Sequence, residues 1–68
     1  MKNRIRDLRL QKGWSQGELG EKVGVSRQAI NAVERGKHDP SLLLAFKLAD
    51  AFDLKVEDLF APDLGERS

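Results

Sequence analysis

The 68-residue sequence contains no cysteine and a single histidine. Disulfide bonds, thiolate metal sites and thiol catalysis are thereby excluded, and His38 cannot make a metal site alone. No run of 18 apolar residues and no signal-peptide pattern is present, so a soluble, cytoplasmic protein is expected, without a membrane partner. No alternating apolar–polar stretch, repeat or low-complexity segment occurs. No nucleophile–base pair, metal cluster or phosphate-binding glycine loop can be assembled from the residues, so neither an enzyme nor a cofactor is expected. The length allows one small domain and leaves no room for a second that would sense a small molecule. A domain this short needs efficient helix packing or a partner to be stable.

Charge is present in quantity and is unevenly spread. The formal net charge is only +1. Residues 1–38 carry nine Lys or Arg against four acids, a balance of +5. Residues 50–68 carry six acids against two bases, a balance of −4. A basic front and an acidic back suit a polyanionic partner at one end. Chance segregation in a charge-rich chain is the competing explanation.

Glycine and serine punctuate the rest. Gly13, Gly24 and Gly36 each follow a helical pattern, where a left-handed residue belongs. A first helix is predicted from about Arg4 to Lys12, with Ile5 and Leu8 inward. Ser15-Gln16-Gly17-Glu18 fits a capping box and opens a second helix, whose apolar stripe is Leu19 and Val23. Ser26 caps a third helix, with Ile30 and Val33 inward. Pro40-Ser41 starts a fourth, reaching about Phe52, and a short fifth covers Val56 to Phe60. The predicted architecture is all-α, five helices with short connections, with a domain at residues 1–61 and a polar, disordered tail at 62–68.

The fourth helix is apolar almost all round. Leu42, Ala45, Leu48, Ala49 and Phe52 are assigned to the core. Leu43 and Phe46 serve either the core or a partner. Trp14 is assigned to the core or its edge.

Helix two, turn and helix three form a unit. Gly20 is small where two helices must cross closely, Gly24 can adopt φ > 0, Val25 plugs the corner, and Ile30 and Val33 pack back. Each special position of a helix-turn-helix is filled by the residue type its geometry requires. On these residues, together with the patterns Val25-Ser26-Arg27-Gln28, Ile30-Asn31, Glu34-Arg35-Gly36-Lys37 and Pro40-Ser41-Leu42, the stretch from Ile5 to Phe60 resembles the Cro and lambda-repressor-like regulators, also called the xenobiotic-response-element family. It is most similar to short stand-alone members of the cytolysin-repressor type.

The resemblance implies a homodimer on a two-fold symmetric double-stranded DNA operator. It places the third helix in the major groove, with Ser26, Arg27, Gln28 and Asn31 toward the bases. Arg27 can donate two hydrogen bonds to guanine and Gln28 can pair with adenine, while Asn31 meets a base or a phosphate. Gln16, in the first turn of helix two, and Arg35, Lys37 and His38, beyond helix three, are the expected backbone contacts. Arg9 and Glu34 match a partly buried ion pair in the family and are read as structural. Leu54, Val56, Leu59 and Phe60, with Phe46, form the candidate dimer interface, or else only close the monomer core.

Two departures from the family pattern stand out. Lys55 replaces a Ser or Thr cap, so the fifth helix is expected to fray. The tail from Ala61 to Ser68 has no β-branched residue, so the C-terminal strand of cytolysin-repressor-like members is expected to be absent. The leading function is a transcriptional repressor, with a restriction–modification controller equally compatible. Regulation would come from protein level, operator arrangement or a partner protein. An antitoxin that caps a toxin is the alternative, disfavoured by the short tail.

Overall fold

Three serines set the helix starts. Ser15 Oγ accepts from Glu18 N at 3.0 Å, and the Glu18 carboxylate accepts from Ser15 N at 2.8 Å, which completes a capping box. Ser26 Oγ accepts from Ala29 N and Ser41 Oγ from Leu44 N, each at 3.1 Å. Each serine satisfies a first-turn N–H that has no partner inside its helix. In the computed structural model, which describes residues 1–61, the elements are β1 (Lys2–Asn3), α1 (Ile5–Lys12), α2 (Gln16–Val23), α3 (Arg27–Glu34), α4 (Leu42–Phe52), α5 (Val56–Leu59) and β2 (Phe60–Ala61). The tail expected to be disordered, 62–68, lies outside the described residues.

Among the described residues five helices form, and a small sheet joins them. β1 and β2 pair antiparallel, with Lys2 opposite Ala61 and Asn3 opposite Phe60. Arg4 N continues the pairing by donating to Leu59 O at 2.8 Å. This corrects the expectation that no strand would form. Two-residue strands are too short for an alternating pattern, and no hairpin turn links the two ends of the chain. Phe60 is accordingly extended (φ −117°, ψ 137°) and does not end the fifth helix.

The core collects one stripe from each helix. Ile5 and Leu8 come from α1, Leu19 and Val23 from α2, Ile30 and Val33 from α3, and Leu59 from α5. α4 supplies Ala45, Leu48, Ala49 and Phe52, spaced i, i+3, i+4, i+7. Leu42 is a correction: it lies on the same helix but is 70% exposed, on a side of the first turn of α4 that nothing covers among the described residues. Leu43 and Phe46 are also exposed. Trp14 is half-buried against the cluster, its ring stacked on Phe52 at 5.4 Å, with Lys22 Nζ 4.6 Å from its centroid.

α5 starts more firmly than its lysine suggests. Lys55 has no side-chain acceptor, but the Asp58 carboxylate reaches back to Lys55 N at 3.0 Å, and Asp58 N donates to Lys55 O at 2.9 Å. α4 ends at Asp53 in the left-handed region (φ 56°), a conformation that aspartate tolerates better than most residues.

The Ser15 backbone N–H, donating to the Glu18 carboxylate, holds that carboxyl below its usual range, with help from the Ser15 hydroxyl and from Lys22. A carboxylate whose folded pKa is lowered contributes stability above its unfolded pKa, about 4.3, and loses that contribution as pH falls through the folded value. Glu18→Gln is therefore expected to be less stable than wild type at neutral pH, with the difference shrinking toward pH 3 (~3). Urea denaturation midpoints at the two pH values measure this.

Candidate nucleic-acid interface

The site is built on the α2–turn–α3 corner. Gly24 turns the chain at φ 77°, a conformation costly for a residue with a Cβ. Val25 N then donates to Gly20 O at 2.9 Å. At Gly20 the backbones approach so closely that an added Cβ would lie 2.6 Å from Val25 O. α3 presses Ile30 and Val33 against this corner, both nearly inaccessible to water. Its opposite face is thereby committed to solvent.

That outer face carries the residues singled out from the sequence. Arg27 and Gln28 are exposed in the first turn of α3, and Asn31 is half-buried one turn on. Together with Gln16 at the start of α2 they line one open cleft of about 280 Å³. Ser26 stands at the same helix start, where its oxygen serves as the cap acceptor. Its hydroxyl proton stays free to donate. Gln16 lies among the first-turn N–H groups of α2, which attract anions.

Arg35, Lys37 and His38 are exposed beyond α3. The chain there is folded back by Gly36 N donating to Val33 O at 3.0 Å and Lys37 N to Ala32 O at 3.1 Å. Lys2, which sequence reasoning did not single out, lines a cleft with Arg35 because β1 brings the N-terminal residues alongside. Asn3 was missed as well. Its Nδ2 donates to Val33 O at 2.8 Å and its Oδ1 accepts from Ile5 N at 3.0 Å, joining the end of α3 to the start of α1. No local pattern marks such a contact.

Arg9 and Glu34 meet behind α3. Arg9 Nε lies 2.7 Å from Glu34 Oε2, with the two side chains 10% and 4% exposed. A second guanidinium nitrogen, Nη2, reaches Glu34 Oε1 at 3.2 Å, and Nη1 donates to Trp14 O at 2.8 Å. The bond to Glu34 raises the Arg9 pKa against the opposing pull of burial, so the guanidinium stays charged. Gln16 joins them: its Nε2 donates to Glu34 Oε1 at 3.0 Å. Among the described residues no buried side-chain nitrogen or oxygen lacks a partner.

The residues read as a dimer interface divide. Leu59 and Phe60 are 1% and 6% exposed within the protomer and close its core, leaving almost no surface for a second chain. Leu54 is exposed and Val56 half-buried, and both line a groove of about 360 Å³ with Phe46. No helix among the described residues is long and apolar enough to cross a membrane.

Taken together, a cross-braced helix pair with a polar, exposed second-helix face defines a helix-turn-helix DNA-binding domain. The helix-turn-helix family profile matches residues 5–59. An HTH-type transcriptional regulator of Bacillus subtilis is 53% identical over 60 residues, covering 88% of this chain and 91% of its own. The restriction–modification controller protein C.AhdI from Aeromonas hydrophila superposes with a TM-score of 0.78 at 42% identity, over 84% of this chain and 86% of the other. The P22 c2 repressor, solved in complex with a synthetic operator, superposes with a TM-score of 0.77 at 33% identity, over 79% and 82%. The chain belongs to the Cro and lambda-repressor-like helix-turn-helix family, whose members are DNA-binding transcriptional regulators.

Gly20→Ala is expected to destabilise the domain by about 1–3 kcal/mol, since the new methyl meets backbone and not a side chain that can swing away. Thermal unfolding by circular dichroism checks this. Arg9→Ala leaves Glu34 buried without its cation and is expected to cost about 3–5 kcal/mol. Urea denaturation reads that loss, and a change under ~1 kcal/mol would mean the pair is effectively solvated.

Proposed function

We propose that this chain is a sequence-specific repressor that binds a palindromic double-stranded operator as a homodimer. The observation that carries the reading is the cleft where Gln16, Arg27, Gln28 and Asn31 converge at the exposed start of α3. Arg27 offers the fork of donors that matches guanine O6 and N7, and the Gln28 amide matches adenine N6 and N7. Asn31 meets a base or a phosphate from one turn on. Gln16, Arg35, Lys37 and His38 grip the sugar–phosphate backbone on either side and set the register without reading sequence. Such contacts are salt-dependent, whereas base contacts discriminate.

A single small module covers little DNA, so tight specific binding calls for two. Leu54, Val56 and Phe46 supply the apolar surface for the second copy. Leu59 and Phe60 support that surface from inside the protomer. A symmetric pair of modules reads an inverted repeat with half-site centres about 10 bp apart. The sign of regulation has a second candidate, because C.AhdI, 42% identical, is a controller of restriction–modification. The antitoxin alternative gains no support from these relatives.

Selection of random duplex DNA on the purified chain is expected to enrich an inverted repeat. Enrichment of no sequence would overturn the reading. On the selected site, Arg27→Ala is expected to cost ~1–3 kcal/mol and to relax preference at one position of each half-site. Lys37→Ala is expected to weaken binding evenly across sequences and to lower the salt slope by about 1. Equal losses on all sequences for Arg27→Ala would remove it from the base-reading set.

A further inference from the structure

The Arg9–Glu34 pair does more than join two helices, because one of its oxygens is shared. Glu34 Oε1 accepts from Arg9 Nη2 at 3.2 Å and from Gln16 Nε2 at 3.0 Å. We propose that Glu34 is a positioning residue for DNA binding: it holds the Gln16 side chain in the orientation that presents it to a phosphate. The inference rests on the reading that Gln16 contacts the DNA backbone.

The geometry decides the orientation of an otherwise ambiguous amide. An ionised carboxylate only accepts, so the NH₂ end of Gln16 must face Glu34. One amide proton is thereby occupied. The second proton and Oε1 stay available on the cleft side, where Arg27, Gln28 and Asn31 stand. A free glutamine side chain loses rotamer entropy when it binds; one already held loses less.

Charge supports the arrangement. A lone carboxylate this close to an incoming phosphate would repel it, but Arg9 hydrogen-bonds both Glu34 oxygens and cancels the charge. The topology adds a consequence. Gln16 opens α2 and Glu34 closes α3, so one buried carboxylate fixes the backbone contact relative to the base-reading helix.

The test is a double-mutant cycle on the full chain, with affinity read on the operator obtained by selection. The variants are Gln16→Ala, Glu34→Asp and both together. Glu34→Asp keeps the charge opposite Arg9, whose long side chain can follow, and withdraws the carboxylate from Gln16. Gln16→Ala is expected to weaken binding roughly tenfold, the value of one hydrogen bond to a charged group. Glu34→Asp is expected to weaken wild type several-fold and to change the Gln16→Ala protein little. The same loss from Glu34→Asp in both backgrounds would overturn the positioning role while leaving the Gln16 contact standing. No loss from Gln16→Ala would overturn the contact and the inference together. Should Glu34→Asp fail to fold, the Gln16 side-chain amide of the free wild-type protein decides by NMR. A Gln16 side-chain amide proton protected from exchange with water is expected; both protons exchanging as fast as those of a free glutamine side chain would overturn the proposal.

Discussion

A carboxylate with almost no access to water cannot be left unpaired, and Glu34 is such a carboxylate. Its solution brings α1, α2 and α3 to a single point: Arg9 from the first, Gln16 from the second, Glu34 itself from the third. The requirement is directional as well as electrostatic, because each oxygen must find a donor along a lone pair. A hydrophobic contact can slide by an ångström at little cost, whereas a shared, desolvated carboxylate cannot. The orientation of α3 against the rest of the domain is thus defined more sharply than apolar packing alone would define it.

The remaining stability is assembled from modest parts. Among the described residues the core has twelve buried apolar side chains, five of them essentially inaccessible. Serine caps settle the helix starts at α2, α3 and α4, and Asp58 does the same for α5 from within. These local devices keep short helices formed at lengths where an isolated peptide would not be helical. Because the inner face of α3 is fully used by the core, its outer face can be polar without loss to the fold.

Local features were readable in the sequence. Ser15, Ser26 and Ser41 announce helix starts through their spacing to the next apolar stripe. Gly20 and Gly24 mark the corner by their size and backbone freedom. Arg27, Gln28 and Asn31 were singled out through the family resemblance, and the fold brings them to one cleft with Gln16. What was not readable depends on partners distant in sequence. Leu42 has the right period for the core, yet exposure is decided by whether another element lies over it. The β1–β2 pairing joins residues at opposite ends of the described chain, and Phe60 cannot declare itself a strand residue without Asn3 beside it. Asn3 itself, two residues before the first helix, reveals nothing of its bond to Val33. Gln16 was recognised for its place at a helix start, but its attachment to Glu34 becomes visible only when three helices are assembled.

The β1–β2 pairing also sets an order of events. It joins Lys2 to Ala61 and so is among the most non-local contacts of the described residues. The entropy of loop closure grows only slowly with loop length, which makes so long a closure affordable in equilibrium terms. In kinetic terms non-local contacts come late, after the local helices and their corner have formed. Asn3, held in β1, is bonded to the carbonyl of Val33 in the last turn of α3. The rear of α3 is therefore fastened by a late-forming stitch, and any fraying of the β1–β2 pair is transmitted straight to it.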